Sequence, residues 1–294
     1  MLQVHLLKHS GRKAENAFLI CYNKRMQFIS SKDNRIVREA ASLSEKKYRD
    51  RLGLYILEGP DPILEAFMHG GRPRFIFTEA GASSDRIDRI VSLAEDRSSA
   101  VYELAGDVFA RVRQTETPQG VIAVMEKRVY KADEFFRIAK DRNLLVLDRV
   151  SDPGNMGTLL RTAEAMGFGG AIVVKGSVDV YSPKVVRSAA GSILRLPLLF
   201  TADAEETLGL LKANGKTAYT AVMRSGTASY SCALSENCAI IIGNEGNGAS
   251  EEMLKNSLHV YIPMEGETES LNAALAGGML MYESLRQRLS GASE

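Results

Sequence analysis

The feature that most constrains the fold is a four-residue run, Leu144–Leu147, that is apolar at every position. A half-exposed strand alternates apolar and polar residues, so a continuous apolar run is typical of a strand buried on both faces. A second run of this kind follows at 171–174, and residues 158–166 between them place apolar side chains at helical spacing. Strand, helix and strand in this order predict a βαβ unit and therefore a parallel sheet covered by helices.

The same alternation extends over the whole chain. In the C-terminal half we expect further strands at 218–223, 239–242 and 260–262, and a long helix at 270–289. The N-terminal half predicts a smaller α/β domain with strands at 55–57, 75–77, 101–104 and 121–124 and helices at 28–50, 62–68 and 87–94. A chain of 294 residues suits two domains of this size.

The composition of the connecting segments sets the expected domain limits. We predict one domain at 26–126, a charged helical linker at 127–142 and a second domain at 143–294. Residues 1–25 are basic and almost free of acidic groups, and we expect them to be a poorly ordered extension outside both domains.

Charge is unevenly distributed along the chain. Residues 1–142 hold 25 basic and 20 acidic residues, a net charge of +5, whereas residues 143–294 carry a net charge of −4. A basic first half indicates contact with a polyanion. The candidate phosphate-binding residues are Lys32, Arg35, Arg38, Lys46 and Lys47. The alternative is that they form an ordinary solvated helix face.

Cysteine and histidine spacing excludes several kinds of site. The three cysteines form no CxxC pair and lie far from the four histidines, so we expect neither a zinc site nor a disulfide framework. Free thiols suit a reducing, cytoplasmic location. No apolar run approaches the roughly 20 residues that a membrane-spanning helix needs.

Three loops rich in glycine and asparagine follow predicted strands of the second domain. They occupy residues 148–157, 243–248 and 262–272. Ligands of parallel α/β sheets bind at the carboxyl ends of strands, and glycine allows the main chain to approach a ligand closely. In any one loop, glycine and asparagine could be present only because tight turns favour them. Three such loops in one domain predict a ligand-binding cleft. Asp148 and Asp152 in the first loop are expected to cap the loop and the following helix.

The residue types in these loops restrict the kinds of ligand that could bind there. The second loop spells GxxGxG after a late strand, so the dinucleotide fingerprint is absent, and no phosphate-loop motif occurs. Main-chain groups, asparagines and one glutamate suit a ligand with a neutral base, a ribose and a compact charge. S-adenosylmethionine fits this description, although the residue types alone do not single it out.

The strings LDRVSDPGNMGTLLRTAEAMGF, IIIGNEGNGAS and IPMEGETESLNAALAGGMLMYE resemble the three motifs of the SpoU (TrmH-like) branch of the SPOUT methyltransferases, and they occur in family order. In the first half, ISSKDN, LEG and TPQGV resemble the family's RNA substrate-binding domain. Family proteins usually begin near Met26, which agrees with the exclusion of residues 1–25.

The resemblance implies a knotted α/β methyltransferase domain with a smaller N-terminal α/β substrate-binding domain, a homodimer formed through the C-terminal domain, and methylation of a ribose 2′-oxygen in ribosomal or transfer RNA. It implies that S-adenosylmethionine is held largely by main chain. The cofactor-binding positions it implies are Gly243, Asn244, Glu245, Gly248, Ile262, Met264 and Leu271.

The catalytic positions implied by the resemblance are Asn155, Arg161, Glu245, Ser270 and Asn272. Family proposals make the arginine a base, but a guanidinium resists deprotonation in proteins. We therefore expect Arg161 to bind the phosphate or ribose and to stabilise negative charge that develops on the 2′-oxygen. We expect Asn155 to orient Arg161 or the ribose, and Glu245 to hold Arg161 or the cofactor.

Several alternatives remain open from the sequence. Ribosomal RNA is favoured as the substrate because a separate N-terminal substrate domain is common in enzymes that modify it, with transfer RNA as the alternative. A base-nitrogen methyltransferase of the same superfamily, a catalytically silent RNA-binding or assembly factor, and a nicotinamide oxidoreductase are further candidates. The polar residues of the three motifs and the missing dinucleotide fingerprint argue against these three.

Overall fold

The computed structural model describes residues 26–291, and the extension predicted at 1–25 lies outside them. The chain divides into two compact units with the boundary between Glu126 and Lys127. Each unit is built around its own sheet.

The first unit is a mixed α/β domain. Its elements are β1 (Gln27–Ile29), α1 (Arg35–Ser42), α2 (Lys46–Leu52), β2 (Leu54–Glu58), α3 (Pro60–Met68), β3 (Pro73–Glu79), α4 (Asp85–Asp96), β4 (Ala100–Leu104), α5 (Gly106–Phe109) and β5 (Val121–Glu126). The strand order is β1-β4-β3-β5-β2, and β5 is antiparallel to both of its neighbours. The strands predicted at 55–57, 75–77, 101–104 and 121–124 are confirmed.

The single helix predicted at 28–50 is wrong, because the segment forms a strand and two helices. Asn34 begins α1 by accepting a hydrogen bond from the N–H of Ile36 at 2.9 Å. Beyond the end of α1, Arg49 from α2 turns back and donates to the carbonyls of Leu43 and Ser44, at 2.6 and 2.8 Å. Arg49 is buried, so its guanidinium satisfies carbonyls of the turn between the two helices.

The second unit confirms the predicted parallel sheet. Its elements are α6 (Ala132–Ile138), β6 (Leu144–Leu147), α7 (Pro153–Ala165), β7 (Gly170–Val174), α8 (Pro183–Ser188), α9 (Ser192–Arg195), β8 (Leu198–Thr201), α10 (Ala204–Ala213), β9 (Thr217–Ala221), β10 (Thr227–Ala228), a 3₁₀ turn (Ser229–Ser231), β11 (Cys238–Ile242), α11 (Glu251–Lys255), β12 (Leu258–Tyr261) and α12 (Ala273–Gly291). The order is β10-β12-β9-β11-β6-β7-β8, with every pair parallel.

The central strands are buried on both faces, as the apolar runs predicted. Leu144–Leu147 and Ile240–Ile241 lie at the middle of the sheet and are fully covered by helices. The βαβ unit of β6, α7 and β7 is present, but α7 begins at Pro153, five residues before the predicted start. Proline at the first helical position needs no N–H partner, so the first loop runs directly into the helix.

The segment predicted as a linker, 127–142, differs from that expectation. It contains α6, whose Phe135 and Phe136 are buried in the core of the second unit. The ring of Phe135 packs over Gly170 at the start of β7, where a Cβ would collide with it. The first turns of the helical segment therefore belong to the packed sheet domain.

The last helix, α12, packs against α7 and β11. Gly277 faces Leu159 and Ile242, and a Cβ at this position would collide with the Leu159 side chain. The small residues near the start of α12 thus allow close packing within the unit. On the outer side of the helix, Leu275, Met279 and Tyr282 are about half exposed. No helix within residues 26–291 is long and apolar enough to cross a bilayer.

Candidate active site

The three loops leave the sheet at one edge, because every strand of the second unit is parallel. Strands β6 and β11 are neighbours, so the loops that follow them, 148–152 and 243–250, lie side by side. Strand β12 lies beyond β9, and its loop runs from Ile262 to Asn272 before α12 begins.

Glu245 ties the first two loops together. One carboxylate oxygen accepts hydrogen bonds from the N–H and hydroxyl of Ser151, at 3.0 and 2.7 Å. The other accepts from the N–H of Asp152 and from Nδ2 of Asn155, both at 3.0 Å. Partial burial of Glu245 opposes its ionisation, but these four bonds outweigh that effect and lower the pKa of Glu245 to about 2. The carboxylate therefore stays ionised at any physiological pH.

Asn155 extends this network to the third loop. Its Oδ1 accepts a hydrogen bond from Nδ2 of Asn272 at 3.0 Å. Asn272 in turn begins α12, because its Oδ1 accepts from the N–H groups of Ala274 and Leu275. A continuous chain of Glu245, Asn155 and Asn272 thus connects residues that follow β11, β6 and β12.

Asn244 shapes the second loop from within. Its Oδ1 accepts from the N–H groups of Gly246 and Asn247, both at 3.0 Å, and its Nδ2 donates to the carbonyl of Arg149. Its main chain pairs with that of Gly248 in both directions at 2.9 Å. Gly243 is buried against this turn, where a Cβ would collide with the main chain of Gly248 and Ala249. The glycines here are required by the loop's own fold.

Of the two aspartates of the first loop, Asp152 has the expected capping role, whereas Asp148 bonds to the segment after the second loop. Oδ1 of Asp152 accepts from the N–H of Asn155 at 2.7 Å and begins α7. Asp148 is buried, and its carboxylate accepts from the N–H of Ser250 at 2.6 Å. Both carboxylates therefore support the site architecture.

Arg161 lies on an exposed face of α7. Six residues separate it from Asn155, which corresponds to about 9 Å along the helix axis. Within residues 26–291 its guanidinium has no hydrogen bond or ion pair. The expected contacts of Arg161 with Glu245 and Asn155 are absent, because both partners are used in the network between the loops. The side chain is free to meet an incoming ligand.

The third loop offers main chain to a ligand. Residues 264–271 donate no main-chain hydrogen bond to any described residue. Ile262, Met264 and Leu271 are half-buried, whereas Ser270 is exposed and its hydroxyl has no partner in the described chain. Unpaired peptide groups beside partly covered apolar side chains suit a flat, neutral base and a ribose.

A groove of about 480 Å³ lies between α7 and α12. Asn155 and Asn272 stand at one end, and Thr158, Thr162 and the exposed apolar residues of α12 form its walls. No cluster of three or more potential metal-ligating side chains occurs in residues 26–291. His259, the histidine of the C-terminal half, contacts the carbonyl of Leu254 through Nε2 at 2.8 Å and so belongs to the packing of α11.

The basic residues predicted to bind RNA are exposed in the first unit, but they do not form one helix face. Lys32 precedes α1 and pairs with Asp107 at 3.0 Å. Arg35 and Arg38 lie on α1, whereas Lys46 and Lys47 lie on α2. The break at residues 43–45 therefore separates the five side chains into two groups.

The sequence interpretation missed one part of the site, the loop after β7 and the helix α8. Ser177 donates to the carbonyl of Leu147 at 3.0 Å, and the N–H of Val178 donates to that of Val150 at 2.8 Å. The hydroxyl of Ser188 in α8, which also contacts carbonyls of its own helix, lies 3.2 Å from the carbonyl oxygen of Pro153. The Ser-Pro pair at 182–183, eight residues after the apolar strand β7 ends, is a helix-start signal that could have indicated this element.

Comparison with known proteins agrees with this geometry. Residues 142–282 match the SpoU rRNA Methylase family, and residues 34–123 match the MRM3-like substrate binding domain. The chain is 33% identical to the 23S rRNA (guanosine(2553)-2'-O)-methyltransferase RlmP of Bacillus subtilis, covering 87% of this chain and 98% of that protein. It is 32% identical to the 23S rRNA (uridine(2479)-2'-O)-methyltransferase of Streptomyces viridochromogenes, covering 90% and 93%.

A solved structure is similar over the same span. The AdoMet-bound rRNA methyltransferase from Sinorhizobium meliloti superposes with a TM-score of 0.80 at 26% sequence identity. The similarity covers 89% of this chain and 98% of that one. Both units of the chain therefore have counterparts in a single known protein.

Proposed function

Because this chain belongs to the SpoU rRNA methylase family, we propose that it transfers a methyl group from S-adenosylmethionine to a ribose 2′-oxygen in ribosomal RNA. The observation that carries the proposal is the Glu245–Asn155–Asn272 network, which holds together the three loops that the family motifs occupy. Relatives that share both units are named as 23S rRNA 2′-O-methyltransferases. The ribosomal substrate follows from them.

The third loop fits S-adenosylmethionine. Its unpaired main chain and the half-buried Ile262, Met264 and Leu271 would hold the adenosine, with the turn of Gly243, Asn244 and Gly248 as the opposite wall. The cofactor supplies a methyl group on a positively charged sulfur, which is an electrophile for an oxygen nucleophile. In this arrangement Glu245 is a positioning residue, since its carboxylate is fully engaged by Ser151, Asp152 and Asn155.

Among the five catalytic positions that the resemblance implies, Arg161 and Ser270 have side chains with no partner in residues 26–291. A guanidinium keeps its proton, so Arg161 would stabilise negative charge on the 2′-oxygen as that oxygen releases its proton to water and bonds to the methyl carbon, whose bond to the cofactor sulfur breaks. Ser270 would orient the ribose through its unpaired hydroxyl. Asn155 and Asn272 hold the loops in register, because their amides already bond to each other.

The first unit would bind the RNA around the target. Its match to a substrate-binding domain and the exposed side chains of Lys32, Arg35, Arg38, Lys46 and Lys47 support this role. We assign residues 26–126 to this function and the remainder, from 127 onward, to methyl transfer. The bacterial relatives that act on 23S rRNA support a cytoplasmic location.

We further propose a homodimer formed through α12, with the knotted chain path of the family. Leu275, Met279 and Tyr282 are exposed apolar residues on one helix stripe beside the groove, and an exposed apolar stripe favours association. The variant Met279→Asp should sediment as a monomer at micromolar concentration, whereas wild type sediments as a dimer. A wild type that is monomeric at that concentration would refute the proposal.

The test of the function is a map of ribose methylation by mass spectrometry. Ribosomal RNA from cells that lack the gene should miss one 2′-O-methyl group, and the purified enzyme with S-adenosylmethionine should restore it. A missing methyl group in transfer RNA only, or none in any RNA, would contradict the proposal. Calorimetric titration with S-adenosylmethionine separates an inactive family member from an enzyme tested on the wrong RNA.

A further inference from the structure

Two basic residues lie side by side next to the first loop, where two neighbouring strands of the sheet end. Leu147 of β6 pairs with Val173 of β7, so Arg149 and Lys175, each two residues further on, stand at neighbouring strand ends. A Cβ at Gly176 would lie 3.2 Å from Cγ of Arg149, which shows that the arginine side chain packs over the loop that carries Lys175. Both side chains are exposed.

Two more cations lie on α8, which is fixed against the start of α7. The Ser188 hydroxyl lies 3.2 Å from the carbonyl oxygen of Pro153, and a Cβ at Gly157 of α7 would collide with Ser188. Lys184 and Arg187 are exposed and stand three residues apart, so they share one side of α8. Because α8 follows the loop after β7 and packs at the start of α7, the helix lies beyond the same edge of the sheet as Arg149 and Lys175.

Three of these four cations are available for a ligand. Lys175, Lys184 and Arg187 make no side-chain hydrogen bond or ion pair with any residue from 26 to 291. Arg149 lies 3.4 Å from the buried carboxylate of Asp148, which also accepts from Ser250. The nearby carboxylates of Asp152 and Glu245 are engaged by loop N–H groups.

The opposite side of the same edge has the opposite charge. The third loop carries Glu265, Glu267 and Glu269, all exposed. A polyanion that reaches the site is therefore attracted over β6, β7 and α8 and repelled from the loop after β12. The second unit has a net negative charge in total, so this basic group is a local feature of one edge.

We propose that Arg149, Lys175, Lys184 and Arg187 form a cationic patch that binds the phosphates of the RNA strand next to the target ribose. The proposal rests on the methyltransferase function above. It gives the catalytic unit an RNA-binding surface that is separate from the one on the first unit. Such contacts position a strand without reading its sequence. Each phosphate contact contributes a term of about 0.7–0.9 to the slope of log K against log salt concentration.

The test compares two triple variants of the full chain. Lys175→Gln/Lys184→Gln/Arg187→Gln removes three cations of the patch, and Arg137→Gln/Lys140→Gln/Lys212→Gln removes three exposed cations that lie before β6 and β9, at the amino ends of the strands. The probe is 23S rRNA purified from a strain that lacks the gene. Filter binding between 50 and 300 mM KCl gives the salt slope, and transfer of labelled methyl from S-adenosylmethionine gives KM and kcat.

The patch variant should lose roughly 2 units of salt slope and raise the KM for RNA by about 10-fold or more, with kcat and the Kd for S-adenosylmethionine within twofold of wild type. The control variant should change both RNA parameters by less than twofold. A patch variant with the wild-type slope and KM, or a control variant that loses as much, overturns the proposal. If wild type fails to methylate but the patch variant still loses slope, the assigned activity is refuted and the patch stands.

Discussion

The replacement Glu245→Gln tests the network that joins the three loops. Each carboxylate oxygen of Glu245 accepts two hydrogen bonds, and glutamine replaces one of these oxygens with an amino group. The variant therefore loses two hydrogen bonds to Glu245, and the new amino group faces groups that are themselves hydrogen-bond donors. We expect the variant to keep its fold but to lose the fixed relation between the first two loops.

The magnitude follows from the pKa of Glu245. A fall from the ordinary value of 4.5 to about 2 would correspond to about 3 kcal/mol in a fully buried group. Glu245 is only partly buried and remains largely exposed, so solvent screening reduces the effect to about 1–2 kcal/mol. If the transition state for methyl transfer loses a comparable amount of stabilisation, kcat/KM falls by about 10-fold.

Urea unfolding and methyl transfer, each at several pH values, measure this effect. Because the folded-state pKa is depressed, the stabilisation is fully present above pH 4.5 and is lost as pH falls through about 2. Wild type should therefore exceed Glu245→Gln in unfolding free energy at pH 7, and the gap should narrow by pH 3. The exposed Glu205 of α10, changed to glutamine, is the control and should alter neither quantity. Equal stability and equal kcat/KM of wild type and Glu245→Gln at pH 7 would refute the reasoning.

Three further substitutions test other parts of the site and its support. Arg161→Ala should abolish methyl transfer while calorimetry still detects S-adenosylmethionine binding; near wild-type turnover would remove the role assigned to Arg161. Gly243→Ala should cost about 1–3 kcal/mol in urea unfolding and weaken cofactor binding, because its Cβ meets main chain, whereas Gly246→Ala, whose Cβ has only an ordinary contact with Asn244, should do neither. Lys216→Met should destabilise the chain by about 2–3 kcal/mol, since the buried ammonium donates to the carbonyls of Lys140 and Arg142 at 2.7 and 2.9 Å and methionine leaves both without a donor. An unchanged urea midpoint would contradict this and show that water replaces the ammonium at these carbonyls.

Much of the fold could be predicted from the sequence because the parallel sheet imposes a simple signal. Strands buried on both faces have to be apolar at every position, and Leu144–Leu147 is such a run. Three of the helices that were missed had no comparable pattern. Helices α8, α9 and α11 have only four to six residues, too few for a helical period to be read.

The error at residues 28–50 has a different cause. Local spacing of Ile36, Ala40 and Leu43 is helical, and it is helical in the structure too. After α1, Arg49 of the same segment donates to the carbonyls of Leu43 and Ser44, where the chain turns before α2 begins. A bond from a long side chain to main-chain carbonyls five and six residues earlier leaves no apolar period in the sequence.

The site residues were found as members of three motifs, but their contacts were not. Glu245 was expected to hold Arg161 or the cofactor, and it bonds to Ser151, Asp152 and Asn155 instead. Loops separated by about 90 residues meet only because β6 and β11 are adjacent in the sheet. Strand order is a global property that no local pattern encodes.

The position of α6 sets where the catalytic unit can be separated from the rest of the chain. Phe135 closes the space above Gly170, and the motifs themselves begin only after β6. A fragment cut at residue 143 would leave an apolar hole beside β7 and expose it to water, whereas a fragment that starts at Lys127 keeps the space filled. For protein engineering, the transferable methyltransferase module is therefore longer than its recognisable motifs, and a domain exchange in this family should join the partners before α6.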